Sequence, residues 1–495
     1  MNFLEYSIDQ ILEENQIPHT WSKSVENEVT GLQLERNIDR KDLSEADFVT
    51  IDGKDAKDFD DAVLCKKLKT GYKLSVAIAD VSSLVRPGSE IDKAAKERGT
   101  SIYFPNTVIP MLPEEISNDL CSLVPNKIRN VVVSDITFDT DGEIKGYDFY
   151  EAQIKSKYRL TYAEVEEAIL RKKKIGSTSV NESINALKDL TISLLDKRAK
   201  RNALEIESNE PILKINNIGE VEAINLSRRM FAHQMIEEAM IAANICAIMF
   251  VKSSSEISIN RFHDKPDADK LLALFEKFQS FGLKRSDDPI ILLQRCIEIA
   301  KRSENATSLQ SLILQGLPRA IYSSKKSGHF GLQLEEYSHF TSPIRRYPDL
   351  IIHRLIKSIL KKEKVHFDEE AFEEECGNLS DLEKRAEKSS RQVTQQLICF
   401  FLKDKVGNVM PARVVGVTHF GVFCELEGFF VSGLMHVSDL KDDHYVYSER
   451  NNILKGKRSG KTFKIGDQFN VRIDAVIPEA VSYTHLTLPT IPTVG

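Results

Sequence analysis

The sequence predicts an α+β chain: a large unit of short strands with packed helices, followed by a small all-β barrel. Three observations predict it. Between about 48 and 135 apolar residues alternate in short runs separated by turn residues, which is strand behaviour. From 160 to about 405 they recur at helical spacing, and after Gly407 strand-like runs return with glycine-rich turns between them. With 495 residues, of which 41% are hydrophobic and 28% charged, the chain can bury several cores.

Residues 1–47 are polar and helix-leaning, and read as a leading segment rather than a domain. The strand runs are Phe48–Ile51, Tyr72–Ile78 and Val131–Thr137. Helices follow over 160–203, with Leu160, Val165 and Ile169 and then Ile184, Leu187, Leu190 and Leu194 in register. Another runs from about Ala232 to Phe250, and more lie at 267–282, 289–302 and 348–362. The stretch 379–405 is charged on one face and apolar on the other, as befits a helix linking two units. Beyond it, VMPARVVGVT, GVFCELE, FFVSGLMHV and FNVRIDAV fall within about 70 residues, the size and rhythm of a five-stranded oligonucleotide-binding barrel. The expected units are therefore 48–405 and 406–478. Residues 479–495, including SYTHLTLPTIPTVG, break the charged texture and carry two X-Pro steps, so they read as a non-native or disordered tail outside the fold. There are no internal repeats.

Charge and cysteines narrow the function classes. A net charge of −7, from 67 basic and 74 acidic residues, excludes a uniformly basic surface, so any polyanion site must be a local patch. The apolar run 236–250 is interrupted by Glu237, Glu238 and Asn244, too polar for a membrane span, and MNFLEYSIDQ lacks the order of a signal peptide. Seven scattered cysteines without a C-x-x-C pair speak against a zinc knuckle or disulfide framework and for a reducing cytoplasm.

The densest chemistry lies at 52–61, where Asp52, Asp55, Asp58, Asp60 and Asp61 put five carboxylates in ten residues between apolar Ile51 and Ala62. So much like charge beside a core is unfavourable unless a cation neutralises it. Mg²⁺, with its hard oxygen ligands, would do so, and a pair of such ions could activate water against a phosphodiester. The EF-hand pattern fails, because counting from Asp52 the sixth position is Lys57 and the twelfth Val63. A solvated acidic turn is the bland alternative.

Arg345 and Arg346 follow a Pro-Ile turn just ahead of a helix. Their guanidinium groups could clamp a phosphate or stabilise charge on a transferring phosphoryl group; for Arg346 an interdomain salt bridge serves as well. His339 and His353 read as structural, since no second ligand stands at metal spacing. In the barrel, Phe420, Phe423 and His436 occupy strands where stacking aromatics belong, with Phe423 expected exposed and Phe420 either exposed or core. Lys455, Lys457, Arg458, Lys461 and Lys464 form a basic run without an acid, a phosphate patch or a solvated loop.

The motifs TIDGKDAKDFDDAV, YFPNTVIPMLPEEISNDLCSLVP, IEEAMIAANICA and HFTSPIRRYPDLIIHR, in this order, resemble the RNase II/RNase R (RNB) superfamily of exoribonucleases over about 48–400. GTSIYFPNTVIPMLP and HFTSPIRRYPDL look closer to the ribonuclease R branch. GVTHFGVFCELEGFFVSGLMHVSDL is similar to the S1-type RNA-binding barrel that follows the family's catalytic domain.

The resemblance implies a processive, Mg²⁺-dependent hydrolase of the exoribonuclease II type, cutting single-stranded RNA from a free 3′ end to nucleoside 5′-monophosphates. It implies a cytoplasmic monomer with no membrane attachment and no small-molecule cofactor. Asp52, Asp58 and Asp61 match metal-binding positions, Asp60 the aspartate essential to the chemistry, Arg345 the arginine at the scissile region, and Tyr103 the tyrosine stacked on the 3′-terminal nucleotide. In two respects the chain departs from the family pattern. Ile206 stands where the opposing phenylalanine is expected, which weakens stacking, and the chain begins near the end of the family's cold-shock domains and lacks the basic C-terminal extension, as a truncated member would. A non-catalytic RNA-binding protein or RNA-decay scaffold with the same fold is the alternative; such a protein would be expected to lose one of the four aspartates or Arg345, and all five residues are present.

Overall fold

The computed structural model describes residues 2–33, 39–206, 211–226, 228–279, 281–303, 306–363, 368–429, 431–448, 453–477 and 483–488. The α+β class is as expected, with a mixed sheet and helices followed by a closed five-stranded barrel.

The first nine strands are β1 (Lys41–Leu43), β2 (Val49–Asp52), β3 (Asp61–Leu68), β4 (Gly71–Ala79), β5 (Ile102–Phe104), β6 (Thr107–Ile109), β7 (Ile128–Phe138), β8 (Ile144–Lys155) and β9 (Tyr158–Thr161). Seven of them form one sheet in the order β1-β8-β7-β4-β3-β2-β9, while β5 and β6 pair as a separate hairpin. Its middle strands are covered along most of their length, so the second half of β4 is apolar throughout, with Leu74 and Val76 to Ala79 fully buried. The sheet opens earlier than expected, because β1 lies inside the leading segment and pairs in parallel with β8. The same segment begins with a helix, Phe3–Glu14, whose Asn2 and Glu5 form a capping box and whose Leu4, Ile8, Ile11 and Leu12 are buried.

Helix Phe231–Ser254 is long and apolar enough to cross a membrane by length and composition, yet 67% of its most apolar window is buried inside the molecule. Its buried Glu238 is paired with Arg198 at 2.7 Å. An all-round apolar helix of this kind is a core element, here among the sheet and helix Tyr347–Leu360.

The linking helix spans Glu369–Lys403, ten residues longer at its start than the amphipathic pattern suggested. Phe372, Cys376 and Leu379 extend its apolar stripe into the sheet's core, and the Asp368 side chain caps it by accepting from the Glu370 and Ala371 amides. Farther along, Val393, Leu397 and Leu402 join the core of the barrel.

The barrel closes through Val409–Thr418, Gly421–Leu426, Val431–His436, Tyr483–Thr487 and Gln468–Ile477. The fourth of these corrects the reading of 479–495 as a disordered segment outside the fold. Tyr483–Thr487 pairs antiparallel with Gln468–Ile477 and in parallel with Val431–His436, and it buries Thr484 and Leu486 on alternate positions. The period-2 pattern Thr-His-Leu-Thr suits a strand, and it fills the seam between two neighbours. All seven cysteines are buried, and none forms a disulfide among the described residues.

Candidate active site

The acidic turn is built by the junction of β2 and β3. Asp52 ends β2, Asp61 opens β3, and 53–60 between them form no strand, so all the carboxylates emerge at one edge of the sheet. Strand β9 lies parallel to β2 with Thr161 opposite Asp52, which brings Arg159 and Tyr162 to the same edge.

Burial there is costly. The Asp52 carboxyl is pushed up to about 8, first by burial and then by the charges of Asp61 and Asp58. Burial lifts Asp61 to about 6 and Asp60 well above the usual carboxylate range, with Arg345 opposing both. Asp60 is 5% exposed; its Oδ1 accepts from the Ile344 amide at 2.8 Å, and its Oδ2 stands 3.7 Å from Arg345 Nε. Asp52 Oδ2 and Asp60 Oδ2 are buried without a hydrogen-bond partner. Two hard oxygens without hydrogen-bond donors, in a turn where burial disfavours carboxylate charge, form a donor set suited to a divalent cation. Among the described residues, no three such side chains already converge as a metal cage; Asp58 is turned to the Tyr103 hydroxyl and Asp60 to the Ile344 amide.

Two cavities flank this turn. One, of about 1070 Å³, is lined by Tyr103 and Arg345, by the linking helix through Glu387, Ser390 and Arg391, and by Phe423 of the barrel. The other, of about 1400 Å³, is lined by Asp52, Arg159, Tyr162, Ile206, Arg229 and His233. Tyr103 is 42% exposed, its hydroxyl donates to Asp58 Oδ2 at 2.8 Å, and its backbone carbonyl accepts from Ser390 Oγ. Burial, then Asp58, raises its phenol above the usual range. Arg345 keeps 42% of its side chain exposed and is steadied by a hydrogen bond from Nη2 to Ser342 Oγ at 2.9 Å.

The structure does not treat every expected residue alike. Arg346, expected to bind RNA or to bridge domains, pairs through its guanidinium at 2.9 Å with fully buried Asp349 three residues on, and it also lines the cavity that Tyr103 and Arg345 line. That places it at the start of helix Tyr347–Leu360 as a brace, its side chain mostly covered. Ile206 lies on the Asp52 side, packed against the core of helices Ala268–Gln279, Pro289–Arg302 and Ala306–Gly316, and not in the cavity that Tyr103 lines. His339 bonds to the Tyr322 hydroxyl at 2.8 Å, and His353 stacks on Phe340 with its Nε2 2.9 Å from that residue's carbonyl, both structural roles.

On the barrel, Phe420 is 36% exposed and meets Phe423 edge-on at 5.9 Å, while Phe423 is half-buried. His436, half-buried, accepts from the Ser438 amide through Nδ1. Lys455, Lys457, Arg458, Lys461 and Lys464 are exposed on and beside the hairpin Ile453–Phe463, outside the lining of both cavities, and Lys461 is paired with Asp442 at 3.3 Å. Arg159 and Tyr162 were not legible in the sequence, because a parallel pairing across more than a hundred residues brings them to Asp52.

The RNB domain family model matches residues 40–362, and the S1 RNA binding domain model matches 403–482. The chain belongs to the RNB family. The acidic turn, Tyr103 and Arg345 thus lie within its RNB domain, and Phe420, Phe423 and His436 within its S1 domain. This RNB chain is 39% identical to Ribonuclease R of Escherichia coli over 95% of its own length, and it spans 60% of that relative. Its fold is similar to Mycoplasma genitalium RNase R in complex with ribose-methylated single-stranded RNA, with a TM-score of 0.92 and 30% identity, over 98% of this chain and 78% of that one. The fold alone extends to yeast Ssd1, a pseudonuclease, with a TM-score of 0.74 and 20% identity, over 91% of this chain and 58% of that one.

Proposed function

We propose that the chain is a processive 3′-to-5′ hydrolytic exoribonuclease that degrades single-stranded RNA from a free 3′ end to nucleoside 5′-monophosphates, acting as a cytoplasmic monomer. The observation that carries this reading is the pair of orphaned carboxylate oxygens, Asp52 Oδ2 and Asp60 Oδ2, set beside Arg345 between two cavities. A merely folded relative has no need of such an unfavourable group. The similarity to ribonuclease R supports it.

In this reading Asp52, Asp58 and Asp61 hold Mg²⁺, which when bound supplies Lewis-acid polarisation and an activated water. Asp60, fixed by the Ile344 amide, orients the attacking side, and the exposed Arg345 guanidinium neutralises charge that develops on the phosphate. Tyr103 stacks on the terminal base, and Ile206 offers RNA an aliphatic contact in the separate cavity on the Asp52 side. Phe420, Phe423 and His436 offer stacking surface along the barrel, and Lys455, Lys457, Arg458 and Lys461 draw phosphates to it. Arg346 braces the helix that presents Arg345.

The second reading is an RNA-binding protein or scaffold without the reaction, and the shared fold with a pseudonuclease keeps it in view. Incubating the chain with 5′-labelled single-stranded RNA, with Mg²⁺ and with EDTA, separates the two. A metal-dependent ladder shortening from the 3′ end with mononucleotide release is expected; RNA that is bound but intact in Mg²⁺ would establish the second reading.

A further inference from the structure

We infer that Ser122 is a positioning residue for the carboxylate site, its hydroxyl fixing the peptide units on both sides of Asp58. Ser122 is fully buried and more than sixty residues from the turn in sequence. Its Oγ accepts from the Phe59 amide at 3.0 Å and donates to the Lys57 carbonyl at 2.7 Å. The next residue continues the clip, with the Leu123 amide donating to the Phe59 carbonyl at 3.0 Å. Among the described residues, the backbone hydrogen bonds of 57–59 all run to Ser122 and Leu123.

This matters because 53–60 lack a strand ladder of their own. Asp58 is pinned through its carboxylate by Tyr103 and through its flanking backbone by one serine. Ser122 is itself held: its carbonyl accepts from Arg129 Nε at 3.0 Å, and Arg129 is anchored on Asp119 at 2.7 Å. Removing the hydroxyl leaves a buried amide without its partner and frees the turn to spread under the mutual repulsion of its carboxylates. Ser122 lines neither cavity, so it acts through Asp58 and not on substrate.

The inference rests on the hydrolase reading above, and the test separates the two. Mn²⁺ binding to the RNA-free chain is followed by the loss of the free-ion electron paramagnetic resonance signal. The matched control is Ser183→Ala, since Ser183 Oγ likewise accepts from a buried backbone amide, Cys65 at 2.9 Å, outside both cavity linings. Ser122→Ala is expected to weaken Mn²⁺ binding roughly 10–100-fold, the usual cost of losing an outer-shell support. Ser183→Ala is expected to leave it unchanged, and Ser122→Thr, which keeps the hydroxyl, to recover most of it. Wild-type Mn²⁺ affinity in Ser122→Ala, or equal losses in both alanine variants, overturns the positioning role. Should Ser122→Ala not melt cooperatively, Ser122→Cys, close in volume but a weak hydrogen-bonder, is compared with Ser122→Thr, and equal affinities overturn the role. A wild-type chain that takes up no Mn²⁺ overturns the hydrolase reading itself.

Discussion

The hydroxyl of Tyr103 donates to Asp58 Oδ2 at 2.8 Å, which ties an aromatic ring facing one cavity to a carboxylate of the acidic turn. The ring's stacking surface and the carboxylate's orientation are therefore set together, and substitutions can pull the two apart.

Tyr103→Ala removes ring and hydroxyl. Stacking is worth about 1–3 kcal/mol per base, which a long RNA can forgo but a remnant of a few nucleotides cannot. The final oligonucleotide product should lengthen while decay of long RNA slows only modestly. Tyr103→Phe keeps the ring, so product length should stay as in wild type while the Mg²⁺ concentration for half-maximal cleavage rises. Ile206→Phe, in the other cavity, should leave the end-product length as in wild type. A product ladder that Tyr103→Ala leaves unchanged removes Tyr103 from the site.

Asp60→Asn keeps the shape of a buried side chain and removes its charge. Turnover should vanish, while RNA affinity, which comes chiefly from Lys and Arg, stays near wild type by fluorescence anisotropy. Cleavage at close to the wild-type rate would show that the reaction is centred elsewhere.

Asp52 gives a pH signature in EDTA. Its folded-state pKa, about 8, lies above the 3.8 of an unperturbed aspartate, so the folded chain holds the proton more tightly than the unfolded chain. That contribution to stability is complete below about pH 4 and is lost as pH rises through 8. Asp52→Asn, which cannot ionise, should therefore raise the melting temperature little at pH 5 and more at pH 9, with a difference of at least about 2 °C. Saturating Mg²⁺ should erase the difference. An equal effect at both pH values would contradict the burial of this carboxyl.

The barrel hairpin should govern affinity and leave the chemistry alone. Replacing Lys455, Lys457 and Arg458 by alanine should weaken single-stranded RNA binding and flatten its salt dependence, by up to about 2 in the log–log slope at roughly 0.7 per lost phosphate contact. Product length should not change. A triple variant with an unaltered slope would make the run a solvated loop.

Much of this site was legible because its signals are local. Five aspartates in ten residues cannot be hidden from a reading of charge, and Arg345 stands out beside a proline-led helix. For Arg346 the spacing to Asp349 was visible, but not the burial of that aspartate, so the ion pair that holds the arginine beside the cavity carried no local signal. Tyr162, Arg159 and Ser122 carry no local signal, since their importance comes from tertiary pairing with the acidic turn. The strand Tyr483–Thr487 was set aside for its odd composition, although alternation alone fits it to the open seam of the barrel.

The linking helix also works as a ruler. At about 1.5 Å per residue its 35 residues measure about 52 Å. Phe372 to Leu379 are rooted in one core and Val393 to Leu402 in the other, with Ser390 touching Tyr103 between them. Inserting one residue at Lys384 would swing the distal footing by about 100° and carry Phe423 away from the wall it shares with Arg345. Adding seven would nearly restore the angle but displace the barrel by about 10 Å. The barrel's station is thus held by phase and length along one helix as well as by its contacts.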